Sequence, residues 1–135
     1  MCMVTKADIP VKVAKKDIVC YKEMKWISND FEAQYLTSYF QGVEYKVNKV
    51  YKNRCNLKGK KRDYNIRGKM IDFVDVNRGF HSYVRKPPNP IHYKTYVVVK
   101  CIIPKGSLYR EGWDNYPYKS DSYISNAIKI VEVLE

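Results

Sequence analysis

Histidine is scarce in this chain, carboxylates are scarce in one stretch of it, and the usual signatures of catalysis are missing. His81 and His92 are the two histidines, and few carboxylates are paired. General acids and bases are therefore in short supply. There is no Gly-rich phosphate loop, no G-x-S-x-G elbow, no H-E-x-x-H and no D-x-D calcium loop. No apolar run approaches the roughly 18 residues of a membrane span. The opening Met1-Cys2-Met3-Val4-Thr5-Lys6-Ala7-Asp8 lacks the apolar core of a signal peptide, so the cytoplasm is the expected location. Cys2, Cys20, Cys55 and Cys101 show no C-x-x-C spacing, and reduced thiols are expected. Cys20 and Cys101 lie in apolar stretches and read as packing residues. A zinc site would need cysteines and both histidines to converge from unrelated spacings, so no metal and no resident cofactor is expected.

What is present is enough for a core. The chain has 135 residues, of which 45% are hydrophobic, and 13 tyrosines. That composition is not that of a disordered chain, and one domain of this length folds without disulfide or metal staples. Its most apolar run is Tyr96-Val97-Val98-Val99-Lys100-Cys101-Ile102-Ile103, stopped by Pro104 and Gly106. Apolar residues at nearly every position suit a central strand covered on both faces.

Other elements are read around it. Residues 1–16 form a lead-in with an edge strand at Val11–Val13, and Ile18–Tyr21 a short buried strand. From Met24 to Phe40, apolar residues at three- and four-residue steps predict a helix, with Asn29 and Glu32 at capping-box spacing and Gly42 as its stop. Thr37, Tyr39 and Phe40, as β-formers, count against it, and Trp26 is read as core. Val43–Asn48 alternates as a half-wet strand, Met70–Val76 is another, and Gly79 turns into one more through Val84. Pro87, Pro88 and Pro90 exclude a regular element over 86–90, and Pro90 could open one helical turn through His92. Ser107–Arg110 follows the central strand, 112–117 is a loop carrying Trp113 and Tyr116 as exposed contacts, and Ile124–Leu134 is one long final strand. The expected fold is α+β but mostly β. It is a single domain of twisted, mainly antiparallel sheet, or two packed sheets, with one or two short helices.

Charge is concentrated. The net charge is +11, and residues 52–69 hold eight cations (Lys52, Arg54, Lys58, Lys60, Lys61, Arg62, Arg67, Lys69) against Asp63, which is +7 of that total. A one-sided patch favours an anionic partner: a nucleotide, a nucleic acid or an acidic protein face. The plainer alternative is a solvated loop or hairpin that keeps a small protein in solution. Lys58, Lys60, Lys61, Arg62 and Arg67 are the candidate contacts, and Tyr51 and Tyr64 could stack bases beside them. Membrane association is not expected.

Four blocks carry a resemblance. They are residues 17–22 (DIVCYK), 45–51 (YKVNKVY), 79–82 (GFHS) and 98–107 (VVKCIIPKGS) with the tail Tyr118-Lys119-Ser120-Asp121. In this order they resemble an uncharacterised family of small proteins carried by bacteriophages and mobile elements of gut Bacteroidota. That likeness implies a bacterial host cytoplasm or a virion as the setting. A more distant similarity is to the ADP-ribosyltransferase fold. Tyr21 and Lys22 fall on its first strand, Phe80, His81 and Ser82 on its serine strand, and Ile103 to Ser107 at its turn. The likeness implies a cleft lined by Tyr21, Lys22, His81 and Ser82, taking NAD, a related nucleotide or another anion. The sequence departs from the pattern where a glutamate should anchor ribose and stabilise developing positive charge. Asp121 is the nearest acid. The expectation is therefore a binding shell rather than an active transferase, with Asp121 catalytic if a transferase at all.

Overall fold

The computed structural model describes residues 3–27, 35–38, 44–76, 78–87, 96–114 and 120–134, and every regular element in them is a strand. In chain order these are β1 Met3–Lys6, β2 Lys12–Val13, β3 Ile18–Ile27, β4 Tyr35–Ser38, β5 Glu44–Tyr45, β6 Val50–Lys52 and β7 Lys60–Ile66. There follow β8 Lys69–Val76, β9 Phe80–Tyr83, β10 Tyr96–Ile103, β11 Leu108–Asp114, β12 Ser120–Ser125 and β13 Ala127–Leu134. One sheet joins them in the order β6-β13-β10-β3-β9-β12-β11-β1-β8-β7, with β2 added on β11, β4 on β3 and β5 on β4. The pairings are antiparallel. Among the described residues no helix is long and apolar enough to cross a membrane.

β10 lies where its sequence demands. It pairs with β3 from Tyr96↔Lys25 to Ile103↔Ile18 and with β13 on its other side. The neighbours Val98 and Val99 point to opposite faces, yet both are buried, at 5% and 0% exposure.

The sheet must curl. β12 and β13 are separated by Asn126 alone, yet β9, β3 and β10 lie between them in hydrogen-bonding order. In a flat sheet those four steps would span roughly 19 Å, whereas two residue steps reach about 7 Å. β12-β9-β3-β10-β13 therefore wraps into a trough closed at the Asn126 corner. The corner is pinned. Asn126 donates its amide to the Leu108 carbonyl at 3.1 Å, and its side-chain oxygen accepts the Leu108 amide at 2.9 Å. Ser125 Oγ donates across the kink to the Ala127 carbonyl at 2.9 Å. Inside the trough lies the larger core, with Cys20, Met24, Phe80, Val99, Cys101, Ile128 and Ile130 among its members.

A second core of Met3, Leu57, Val74, Val76 and Ile124 packs on the β8-β1-β11-β12 half. Gly112 on β11 lets β1 approach, since a Cβ there would sit 2.3 Å from the Val4 carbonyl oxygen.

Several expectations change. Residues 24–27 and 35–38 of the predicted helix are strands, and 28–34 and 39–40 lie outside the described residues. No helix occurs among the described residues, and the helical turn from Pro90 through His92 lies outside them. The lead-in is not peripheral: β1 sits between β11 and β8 with Met3 and Thr5 fully buried. Of the strand expected over 43–48, Glu44–Tyr45 is strand and 46–48 leave it through a turn in which Asn48 takes a left-handed φ of 65°, while residue 43 lies outside the described residues. Gly112–Asp114 belongs to β11 rather than to a loop, and 115–119 lie outside the described residues. The single final strand is two strands divided by the Asn126 corner.

Only the second half of the basic segment, from Lys60 on, is part of a hairpin, while 53–59 are irregular. β7 pairs with β8 down to Ile66↔Lys69, leaving Arg67-Gly68 as a two-residue loop with φ 51° and 80°. Positive φ at both positions is the tight hairpin geometry that favours Asn-Gly. Arg67 holds this conformation against its Cβ. Arg67→Asn is expected to stabilise the fold by roughly 0.5–1 kcal/mol, read as a Tm rise of a few degrees, while weakening any anionic contact made there. An unchanged Tm would contradict that strain.

Candidate anion-binding track

The segment between β6 and β7 crosses the second core, and its backbone is held at three points. Asn53 donates its amide to the Asn126 carbonyl at 2.8 Å. Leu57 plugs the core at 2% exposure in a left-handed φ of 60°, a strained conformation for a branched residue. Arg110, buried on β11, donates to the carbonyls of Ile9, Leu57 and Lys58 at 3.0, 3.2 and 3.1 Å. Burial lowers the Arg110 pKa, but a guanidinium keeps its proton. Gly59, at φ 69°, then passes so close to β8 that a Cβ would lie 2.4 Å from the Asp75 carbonyl oxygen.

This fixed segment forms the floor of two clefts that meet at Arg54. One, of about 460 Å³, is lined by Arg54, Lys58, Lys60 and Arg78 with Cys55, Asn56, Leu57, Gly59 and Val76. The other, of about 630 Å³, is lined by Lys52, Arg54 and Lys105 with Val50, Asn53, Pro104, Gly106, Ser107, Asn126 and Ala127. Six cations line the pair and, among the described residues, no aspartate or glutamate does. The half-buried Cys55 thiol is pushed up in pKa by burial, against the opposing charge of Arg78, so it is not a ready nucleophile.

The sequence candidates divide. Lys58 and Lys60 line the track. Lys61 is 3.5 Å from Asp72, an exposed ion pair that offsets its charge. Asp63 lies directly opposite Asp72. The hydrogen bond and charge of Asp72 raise the Asp63 pKa, while the bond from Asp63 and then the charge of Lys61 lower that of Asp72. Arg67 is exposed at the hairpin tip, and Arg62 and Tyr64 lie on β7. Tyr51 is half-buried edge-on to Tyr45 at 4.8 Å, with Lys49 Nζ 5.4 Å from its ring centre. Trp113 packs edge-on against Phe73 at 5.7 Å on β11, and Tyr116 lies outside the described residues. Arg78 and Lys105 were not anticipated, because neither belongs to the basic run. Only folding brings them beside Arg54.

The other constellation goes inward. Lys22 is 9% exposed and Ser82 0%. Lys22 Nζ donates to the His81 carbonyl. Burial lowers the Lys22 pKa, opposed by the charges of Cys101 and Cys20. Cys20 and Cys101 face each other across β3 and β10. The Cys101 thiol bonded to Cys20 lowers the Cys20 pKa, against burial, with Ser82 and Lys22 adding. The Cys101 pKa is pushed well up by burial and then by Cys20. Tyr21 and His81 are half-buried, and the His81 ring is edge-on to Tyr83 at 5.4 Å. Asp121 is exposed and 3.2 Å from Arg85 Nη1. Lys22 and Ser82 are thus buried in the trough interior.

No family model matches the chain, and no match is found among curated proteins or solved structures.

Proposed function

We propose that this protein is a non-enzymatic binding module for an extended polyanion, a nucleic acid above all, held along the track from Lys105 through Arg54 to Lys58 and Lys60. The observation that carries the reading is the pair of clefts sharing Arg54, with six cations and no carboxylate in their linings. Successive phosphates need a line of cations on a fixed backbone, since each ordered contact releases a counterion and steers approach. The three anchors of the 53–59 segment supply that backbone before any ligand arrives. The cations of β7 also guard a sheet edge against pairing with another chain, but edge protection does not require Arg78 or Lys105.

Charge reversal tests the reading. Arg54→Glu should weaken binding of a short labelled oligonucleotide roughly tenfold or more at moderate salt, by fluorescence anisotropy. Lys86→Glu makes the same charge change outside the clefts and should alter affinity by no more than about threefold. Equal losses in the two variants would mean that net charge, not the track, attracts the polymer.

A further inference from the structure

A third cleft lies across the Lys105–Gly106 turn from the track, and its chemistry differs. Its volume of about 700 Å³ is lined by Val13, Ile18, Tyr109 and Tyr123 together with the exposed Lys15 and Lys16. Its walls are apolar and aromatic: the two tyrosine rings stand 6.0 Å apart and nearly perpendicular, and Val13 is 57% exposed beside them. Lys12 also borders it and is 3.5 Å from Glu111, which places one carboxylate at the rim. The turn that separates this cleft from the track is bonded to the lysine-bearing segment. Gly106 donates to the Ala14 carbonyl and Ala14 to the Ser107 carbonyl, both at 2.8 Å. Asp17 accepts the Lys105 amide at 2.8 Å, so its carboxylate is turned to that turn.

We infer that the Tyr109–Tyr123 cleft is a base-stacking pocket, and that the polyanion it serves is single-stranded nucleic acid. The inference rests on the reading of the track. A planar base can stack on an aromatic, apolar wall, and the exposed lysines beside it suit the phosphates on either side of that base. A duplex has its bases paired and stacked and cannot offer one. A polyanion without bases gains nothing from an aromatic wall. The cleft and the track lie on the two sides of one hydrogen-bonded turn, so a single chain can follow the cations and place a base beyond them.

Anisotropy with three ligands tests this: oligodeoxythymidylate, an abasic oligomer of the same length and charge, and inorganic polyphosphate as competitor. The wild-type protein is expected to prefer oligodeoxythymidylate over the abasic oligomer by about tenfold. Tyr109→Leu and Tyr123→Leu should remove that preference while leaving polyphosphate competition unchanged, and Tyr109→Phe should retain it. Equal wild-type affinity for the two oligomers overturns the stacking pocket and leaves the track standing, and that comparison needs no variant to fold. Stronger binding of duplex than of single strand also overturns it. Binding of none of the three, or binding that Arg54→Glu leaves intact, overturns the track and the pocket with it.

Discussion

Arg110→Met is expected to destabilise the protein by about 2–4 kcal/mol and to weaken polyanion binding at the same time. Methionine fills much of the arginine's volume, so the loss comes chiefly from its hydrogen bonds. The carbonyls of Ile9, Leu57 and Lys58 each receive a charged donor in the native fold, and bonds to charged groups contribute more than neutral ones. Two of those carbonyls belong to the segment that forms the floor of the track. Leu57 holds an unfavourable φ there, which the buried side chain and the Arg110 bond together offset. Without the arginine, that strain and the orphaned carbonyls favour local release of the segment. Chemical denaturation would read the stability, and anisotropy the affinity. A variant as stable as the parent would mean that desolvating the guanidinium cancels its bonds.

Lys22→Met should act in the opposite direction, stabilising by roughly 1–3 kcal/mol near neutral pH. The lysine is buried in the trough between Val99 of β10 and Ser82 of β9, close to the Cys20 and Cys101 thiols. Its bond to the His81 carbonyl recovers only part of the cost of desolvation. Burial holds the folded-state pKa of Lys22 below its ordinary 10.5. Between the folded and unfolded values the unfolded chain binds more protons, so the parent gains stability as pH rises through that window. The gain is complete above the unfolded pKa, and the penalty grows as pH falls through the folded one. The advantage of Lys22→Met should therefore shrink as pH approaches 10, as measured by Tm with Cys20→Ser as the parallel thiol control. A variant less stable than the parent across that range would show that the bond to His81 outweighs burial.

That lysine also explains why part of the fold could not be read. β10 was legible because eight successive residues needed cover on both faces. β3 was legible only to Tyr21, because its core-facing set of Cys20, Lys22 and Met24 carries a charge in the middle, followed by Glu23. A strand interrupted in this way looks finished, and the spacing from Met24 onward then reads as a helix, although residues 24–27 and 35–38 are strand. Gly112 read as a loop because glycine usually punctuates, whereas here it admits the Val4 carbonyl. Ile124–Leu134 read as one strand because nothing in the apolar pattern marks Asn126, whose side chain and amide make the corner. The site was half legible. The count of charges placed Arg54, Lys58 and Lys60 in one run, but Arg78 and Lys105 sit in turns outside that run, and Tyr109 and Tyr123 meet only through the β11–β12 pairing.

The most direct measurement is the salt dependence of binding to a short single-stranded oligonucleotide. With six cations engaged on phosphates, the logarithm of the binding constant should fall against the logarithm of salt with a slope of roughly −4, and Arg54→Glu should flatten it by about one contact or more. A slope near zero, or one that Arg54→Glu leaves unchanged, would contradict binding along the track.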